Sequence, residues 1–357
     1  MKKLYLYLYK RFFVYFFVVF PAFVFVGILA DLIEVLRKIQ ILDIKKIILY
    51  MILEVPEKAY LMLPISIVIA FVLLARDLIN SREIYAILIN GISVRRISVV
   101  LVFLTIFLSI IQIINLELIM PDSKKKATKI YLSIKKKKNL EAKEIQIAYK
   151  TWLALENNFF MYFDVLNFKT KSGKKLIIIK LDEKNNPLFT IEGEDFKIKK
   201  KLIEIRNGRI INIPNIYDVH MVHVKEYQWP AKIDLDKIKQ LIITKLPVSL
   251  TEYYKNAKIA EKYGYEYGYY WSKFYSKLAT VISPFILALF SLPFLWTKKS
   301  NRLILVFVSI LVYFYSVALL SSIAETGIIP YPAILIVDVV YIFIGVYFML
   351  KLRFIEL

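Results

Sequence analysis

The sequence predicts an α-helical membrane protein with an inserted all-β domain: six transmembrane helices in a 3+3 arrangement flank one large soluble segment. Three observations predict it. The 357 residues are 58% hydrophobic with a mean hydropathy of +0.56, against about 45–50% apolar content in ordinary soluble domains. The excess is gathered into blocks of the length a helix needs to cross a bilayer, about 20 residues. Lipid admits only helices and closed barrels, and these blocks are far longer than barrel strands. Between the third and fourth blocks lies a lysine-rich stretch, poor in long apolar runs, that alternates with a period of two.

Taken in order, helix 1 covers residues 12–33. It follows Lys2, Lys3, Lys10 and Arg11 and precedes Asp31 and Glu34 with no small-residue cleavage site, which reads as a retained helix. A short amphipathic stretch at 41–54 comes next, then helix 2 at 58–78 with Pro64 inside, a polar interval at 76–96 and helix 3 at 97–120. Helices 4, 5 and 6 are expected at 271–296, 303–324 and 332–350. The domains are therefore 1–121, carrying helices 1–3 and a short cytoplasmic helix at 81–91; 122–263, the β domain; and 264–357, carrying helices 4–6. In the β domain, strand-like runs fall at 158–166, 175–181, 196–200 and 217–227. Ile203 and Ile205, then Asn207-Gly208, then Ile211 and Ile213 read as a hairpin, because both positions of a tight hairpin turn need positive φ. Short strands with frequent turns suggest a sandwich, jelly roll or barrel.

Short-loop charge orients the spans. The N-terminus, the 76–96 interval, Lys298, Lys299 and Arg302, and Lys351 and Arg353 are basic, whereas the 325–331 loop carries Glu325 and no basic residue. Both termini are expected in the cytoplasm and the soluble domain outside. Lys124, Lys125, Lys126 and Lys135 to Lys138 fall on that outer side and read as a solvated flank, since long domains translocate largely regardless of charge.

Several chemistries are excluded. No cysteine is present, so there is no disulfide framework or thiolate. No GxxxxGK[ST] loop occurs among the nine glycines, so the chain is not its own P-loop ATPase. His220 and His223 are three apart in a strand-like run, on opposite faces, a poor metal pair and no basis for a catalytic triad. A net charge of +21 would suggest nucleic acid in a soluble protein, but beside six spans the expected partners are anionic headgroups, and no nucleic acid.

The interval 76–96 carries the sharpest local signal. Ser81 is a good N-cap and Gly91 is placed to close a helix in the left-handed conformation. Ile84, Ile87 and Leu88 share one face of that helix, and the face needs a cover: the bilayer surface, as for a simple interfacial anchor, or another protein.

Asn80-Ser81-Arg82-Glu83-Ile84 through Asn90-Gly91-Ile92-Ser93-Val94-Arg95-Arg96 is similar to the coupling-helix motif of the LptF/LptG family of lipopolysaccharide-export permeases. Val55-Pro56-Glu57 with Leu63-Pro64 resembles that family's start of helix 2, and Glu325-Thr326-Gly327 with Pro330 resembles its loop before helix 6. Trp152, Asn158-Phe159 and Trp271-Ser272-Lys273 look nearer to LptG than to LptF, while Asp338 departs from the uncharged polar residue of many members. The resemblance implies a non-catalytic permease half of an ABC transporter in the bacterial inner membrane, with a periplasmic β-jelly roll. Its partners would be a second LptF/LptG-type permease, a cytosolic ATPase dimer that holds ATP and Mg, an LptC-type membrane protein, a periplasmic bridge protein and lipopolysaccharide. No cofactor or metal is implied in this chain. Glu83, Ile84, Ile87, Gly91 and Arg95 would then couple to the ATPase, with Glu83 as the acidic contact.

Charge at the outer end of helix 1 has two readings. Asp31, Glu34, Arg37 and Lys38 either mark the headgroup level or, in Arg37 and Lys38, hold lipid phosphates. Three other classes compete for the whole chain. An ion-coupled secondary transporter would use Asp338 or Asp31, yet no internal repeat is evident. A membrane-anchored periplasmic binding or scaffold protein would need only the β domain. A membrane enzyme lacks a convergent acid, base or nucleophile set.

Overall fold

The computed structural model describes residues 2–38, 43–134, 147–155, 158–168, 170–182, 186–199, 202–215, 218–230, 247–262, 267–296 and 300–352. Lys135 to Lys138, Lys298, Lys299 and Arg353 lie outside them. The chain forms two compact units, one of Met1–Asn139, Val248–Thr251 and Trp271–Leu357, the other of Leu140–Pro247 and Glu252–Tyr270.

The first unit is helical, and among the described residues six helices are long and apolar enough to cross a membrane. α1 spans Lys2–Lys38 and α2 spans Ile44–Asn80. The amphipathic stretch at 41–54 and helix 2 are thus one helix, begun by Asp43, whose carboxylate accepts from the Lys46 amide at 3.2 Å. Pro56 and Pro64 lie inside it without ending it. At 1.5 Å per residue each 37-residue helix is about 55 Å long, against ~30 Å of hydrocarbon. Hydropathy marks only the lipid-level part, which is why the sequence expectation was shorter. The same holds for α4 (Val94–Ile114), which continues through a π-helical turn at Asn115–Ile119 into α5 (Met120–Ile134), past the expected end at 120. Later in the chain come α6 (Leu250–Lys262), most of which belongs to the second unit, then α7 (Tyr267–Leu295), α8 (Ser300–Glu325), a 3-10 turn at Tyr331–Leu335 and α9 (Ile336–Lys351).

Aromatic stacking joins α1 to α2. Phe12, Phe16 and Phe20 stack along α1 at 5.7 and 5.1 Å, and Phe12 meets Phe71 at 4.7 Å. Polar side chains then tie the spans where prolines have opened the backbone. Pro64 and Pro284 lack the amides that would bond the carbonyls of Tyr60 and Thr280. The buried Gln112 on α4 donates from Nε2 to both carbonyls, at 2.9 and 3.4 Å, and Ser283 Oγ also donates to Thr280 at 2.7 Å. One amide therefore serves an opened carbonyl on α2 and another on α7.

The second unit holds six antiparallel strands in sequential order: β1 (Ile147–Leu155), β2 (Phe159–Asn167), β3 (Ser172–Leu181), β4 (Pro187–Ile198), β5 (Leu202–Asn215) and β6 (Asp218–Pro230). Connections this short force each strand beside its predecessor. Among the described residues the sheet is an up-and-down meander, without a jelly roll's crossovers. Asn207-Gly208 is not a hairpin turn. β5 runs straight through it and pairs with β4 on one side and β6 on the other. Asn207 does take positive φ, 49°, as its turn chemistry suggests.

That conformation helps to crease the sheet. Leu176, Gly193, Gly208 and Val224 form one cross-strand row, with left-handed Lys175 and Asn207 beside it. A Cβ on Gly193 would lie 2.3 Å from Ile205 Cγ2, so a larger residue there would have to displace that side chain. The fold-over is measurable. Phe159 lies in register with Asn212, nine residues along β5 from the partner of Trp229, and four strands away. On a flat sheet the two would be ~35 Å apart; their ring centroids are 5.2 Å apart. The sheet closes over its own apolar face, where Met161, Phe163, Leu176, Ile178, Ile203 and Ile205 are buried.

Candidate functional site

At one end of the helical unit α2 reverses abruptly into a short helix. Ser81, read above as the N-cap of that helix, instead ends α2, its amide bonding the Asp77 carbonyl at 2.9 Å. Arg82 makes the reversal at φ 60°, a left-handed conformation that costs a non-glycine residue about 1–2 kcal/mol. α3 then runs over Glu83–Ile89. It closes as expected at Gly91, φ 76°, where the Gly91 amide bonds Leu88 at 2.9 Å and the Ile92 amide bonds Ile87 at 3.3 Å. This double bond pattern is a Schellman closure. Ser93 caps α4 immediately afterwards, so α3 is held by a defined turn at each end.

The apolar face of α3 has its cover within the chain. Ile84 and Ile87 are buried in the helical core, with Leu88 packed against it. Neither the bilayer surface nor a second protein is needed to cover them, which corrects that part of the sequence expectation. The large apolar residue that α3 exposes is Ile89, 86% exposed; Ala86, Gly91 and Arg95 are exposed as well. Glu83 faces α1. Its carboxylate accepts from Tyr7 Oη at 2.5 Å and from Arg11 at 2.5 Å, and the same guanidinium meets Asp77 at 2.8 Å. Tyr7 and Arg11 are also hydrogen-bonded to each other. The Tyr7 hydroxyl and the Arg11 guanidinium hold the Glu83 carboxyl below the usual glutamate range. One arginine of α1 thus bridges the end of α2 and the start of α3.

A second set of charges lies where α1 ends and α2 begins. Asp31 pairs with Lys58 at 2.6 Å. Lys124, at the start of α5, meets Glu54 at 3.0 Å and also Glu57. Glu54 is 2% exposed, a burial that a carboxylate tolerates only when paired. Lys124 is therefore a partner inside the unit rather than part of a solvated flank. Arg37 is exposed near the end of α1, and Lys38 is its last residue. The Asp31–Lys58 and Lys124–Glu54–Glu57 pairings join residues too far apart in sequence for local pattern to reveal. Asp338 lies in the first turn of α9, buried, and accepts from Tyr313 Oη at 2.6 Å; that hydroxyl is also 3.1 Å from the Ala279 carbonyl. It ties α7, α8 and α9 together.

A family model, lipopolysaccharide export system permease LptF/LptG, matches residues 6–351, nearly the whole chain, and makes no choice between the two members. No curated protein matches the chain.

Proposed function

The chain belongs to the LptF/LptG family of lipopolysaccharide export permeases, and we propose that it works as one permease half of an ABC transporter that extracts lipopolysaccharide from the inner membrane. The family makes it a non-catalytic transport subunit and a multi-pass membrane protein. Beyond that, the proposal is that a second LptF/LptG-type permease completes the cavity and that a separate cytosolic ATPase dimer, holding ATP and Mg, drives it. Lipopolysaccharide then passes along the β domains to a periplasmic bridge protein, with an LptC-type subunit beside them. Both termini and α3 face the cytoplasm and the β unit faces the periplasm. Arg37 and Lys38 stand at the outer headgroup level, where a guanidinium can take a lipid phosphate bidentately. The secondary-transporter and scaffold readings lose their ground to a family match of this extent.

The observation that carries the energy-coupling part is the placement of α3. It is braced by a turn at each end and packed through Ile84 and Ile87, with Ile89 left outward. A short helix braced at both ends, with one large apolar side chain outward, fits a socket on a partner that pushes on it. Ile89→Asp is expected to preserve insertion and monodisperse purification while reducing co-purified ATPase. Undiminished ATPase recovery and stimulated hydrolysis with Ile89→Asp would sink the coupling assignment.

A further inference from the structure

We propose that Asp338 carries a proton and works as a hydrogen-bond donor: a neutral carboxyl at the head of a chain that runs through the Tyr313 hydroxyl to the Ala279 carbonyl and fastens α9 to α8 and α7. It goes beyond the transporter reading and does not depend on it. The starting point is one turn of α7. Tyr60 Oη of α2 donates to the Lys277 carbonyl at 3.2 Å, and Gln112 Nε2 of α4 donates to the Thr280 carbonyl at 3.4 Å. Between them, Tyr313 Oη of α8 lies 3.1 Å from the Ala279 carbonyl. The turn that precedes Pro284 is thus a run of acceptors, each met from another span.

Tyr313 Oη also lies 2.6 Å from Asp338 Oδ1. The heavy atoms alone allow Tyr313 to be the donor in both contacts, but a phenolic hydroxyl has one proton, and a carbonyl and an ionised carboxylate can only accept. With Asp338 ionised, the Tyr313 proton would be drawn to it, and unshared pairs would face each other at the Ala279 carbonyl. With a proton on Asp338 each contact has its own donor: the acid donates to Tyr313 Oη, and Tyr313 donates to Ala279. A 2.6 Å separation suits either assignment, so the carbonyl decides. The surroundings agree. Asp338 is 5% exposed and Tyr313 fully buried. Asp338 Oδ2 is buried with no hydrogen-bond partner, and no basic side chain pairs with either oxygen among the described residues. A buried carboxylate tolerates neither deficit, whereas an apolar site can keep a carboxylic acid neutral and so make it a donor. The helices around it are closely seated. Tyr341 Oη, in the next turn of α9, donates to the Ser309 carbonyl of α8 at 2.7 Å, and a Cβ on Gly345 would lie 3.0 Å from the Leu289 carbonyl of α7.

The test uses the full chain, purified in mixed micelles, with aspartate isotopically labelled at its side-chain carboxyl carbon. Infrared spectra are taken at neutral pH. The expected result is a neutral-carboxyl carbonyl band that moves with the label and disappears in Asp338→Asn. In Tyr313→Phe the acid loses its acceptor, so the band should remain and shift in frequency. Thermal unfolding supplies a second reading. Asp338→Asn should unfold at the temperature of the parent, because an amide donates to Tyr313 as the neutral acid does, whereas Asp338→Leu should unfold several degrees lower. A spectrum without a labelled neutral-carboxyl band, or a band that Asp338→Asn leaves in place, would overturn the proposal. So would a clear rise in the unfolding temperature of Asp338→Asn, the mark of a buried charge removed.

Discussion

Replacing Gln112 by leucine asks whether the proline-opened carbonyls are the reason a buried amide sits in α4. In the native protein Gln112 Nε2 lies 2.9 Å from the Tyr60 carbonyl and 3.4 Å from that of Thr280. Without it the Tyr60 carbonyl has neither the helical donor that Pro64 lacks nor a substitute, whereas Thr280 keeps Ser283 at 2.7 Å. An unmet buried acceptor costs about 1–3 kcal/mol, but hydrogen bonds within membrane bundles average about 0.6 kcal/mol by double-mutant cycles. Gln112 Oε1 is itself buried with no hydrogen-bond partner among the described residues, and its removal returns some of the loss. The net expectation is a destabilisation of about 1 kcal/mol. It is measured by reversible unfolding of the full chain in mixed micelles. The decisive step is the cycle with Pro64→Ala, which restores an amide to the Tyr60 carbonyl. In that background the penalty for Gln112→Leu should largely vanish, leaving a coupling energy of about 1 kcal/mol. Additive effects, or a leucine variant more stable than the parent, would refute the reasoning.

The remaining predictions are brief. The chain has no cysteine, so single cysteines report topology: one at exposed Asp195 should react with an impermeant thiol reagent in intact cells and one at exposed Asn90 should not. Trp229→Ala removes the ring that meets Phe159 at 5.2 Å and should cost the β unit about 3–5 kcal/mol, read as faster amide exchange in β2 and β6 of the full chain. Arg37→Glu should lower lipid-stimulated ATP hydrolysis and leave basal hydrolysis in place. Because the Glu83 carboxyl is held below its usual range, its contribution is fully present above the unfolded value of about 4.3 and is lost only as pH falls through the lower folded value. The protection of α3 amides, taken relative to their intrinsic exchange rates, should therefore be unaffected by Glu83 titration between about pH 8 and 5 and fall only below about 4, a fall that Glu83→Gln should abolish.

What could be read in the sequence was whatever depends on neighbours along the chain. Apolar blocks located all six spans, because lipid selects for hydropathy residue by residue, and Gly91 announced its left-handed turn because nothing but a glycine is comfortable there. Period-two alternation found strands in the insert for the same reason. The errors arise where a local signal is shared by two structures. Asn207-Gly208 has the backbone chemistry of a hairpin turn and uses it to crease a continuous strand, because β4 and β6 claim the two edges that a hairpin would have paired together. Ser81 has the side chain of an N-cap, but the chain has already turned at Arg82 before α3 begins.

The candidate site was harder to read for a different reason. Arg11 and Glu83 are 72 residues apart, and Gln112 lies 168 from Thr280. Arg11 was legible as a basic residue flanking a span, Glu83 as an acid at a helix start, and neither property names the other. Yet the Gln112 case leaves a usable trace. A proline inside a span fixes the position of an opened carbonyl four residues earlier, and hydrocarbon supplies no water to meet it. Pro64 and Pro284 thereby declare acceptors at Tyr60 and Thr280, and a buried glutamine within a neighbouring span declares donors. Matching declared acceptors to declared donors needs no coordinates, only the rule that a polar group survives in a membrane when another helix answers it. The same rule accounts for Glu54, buried and answered by Lys124.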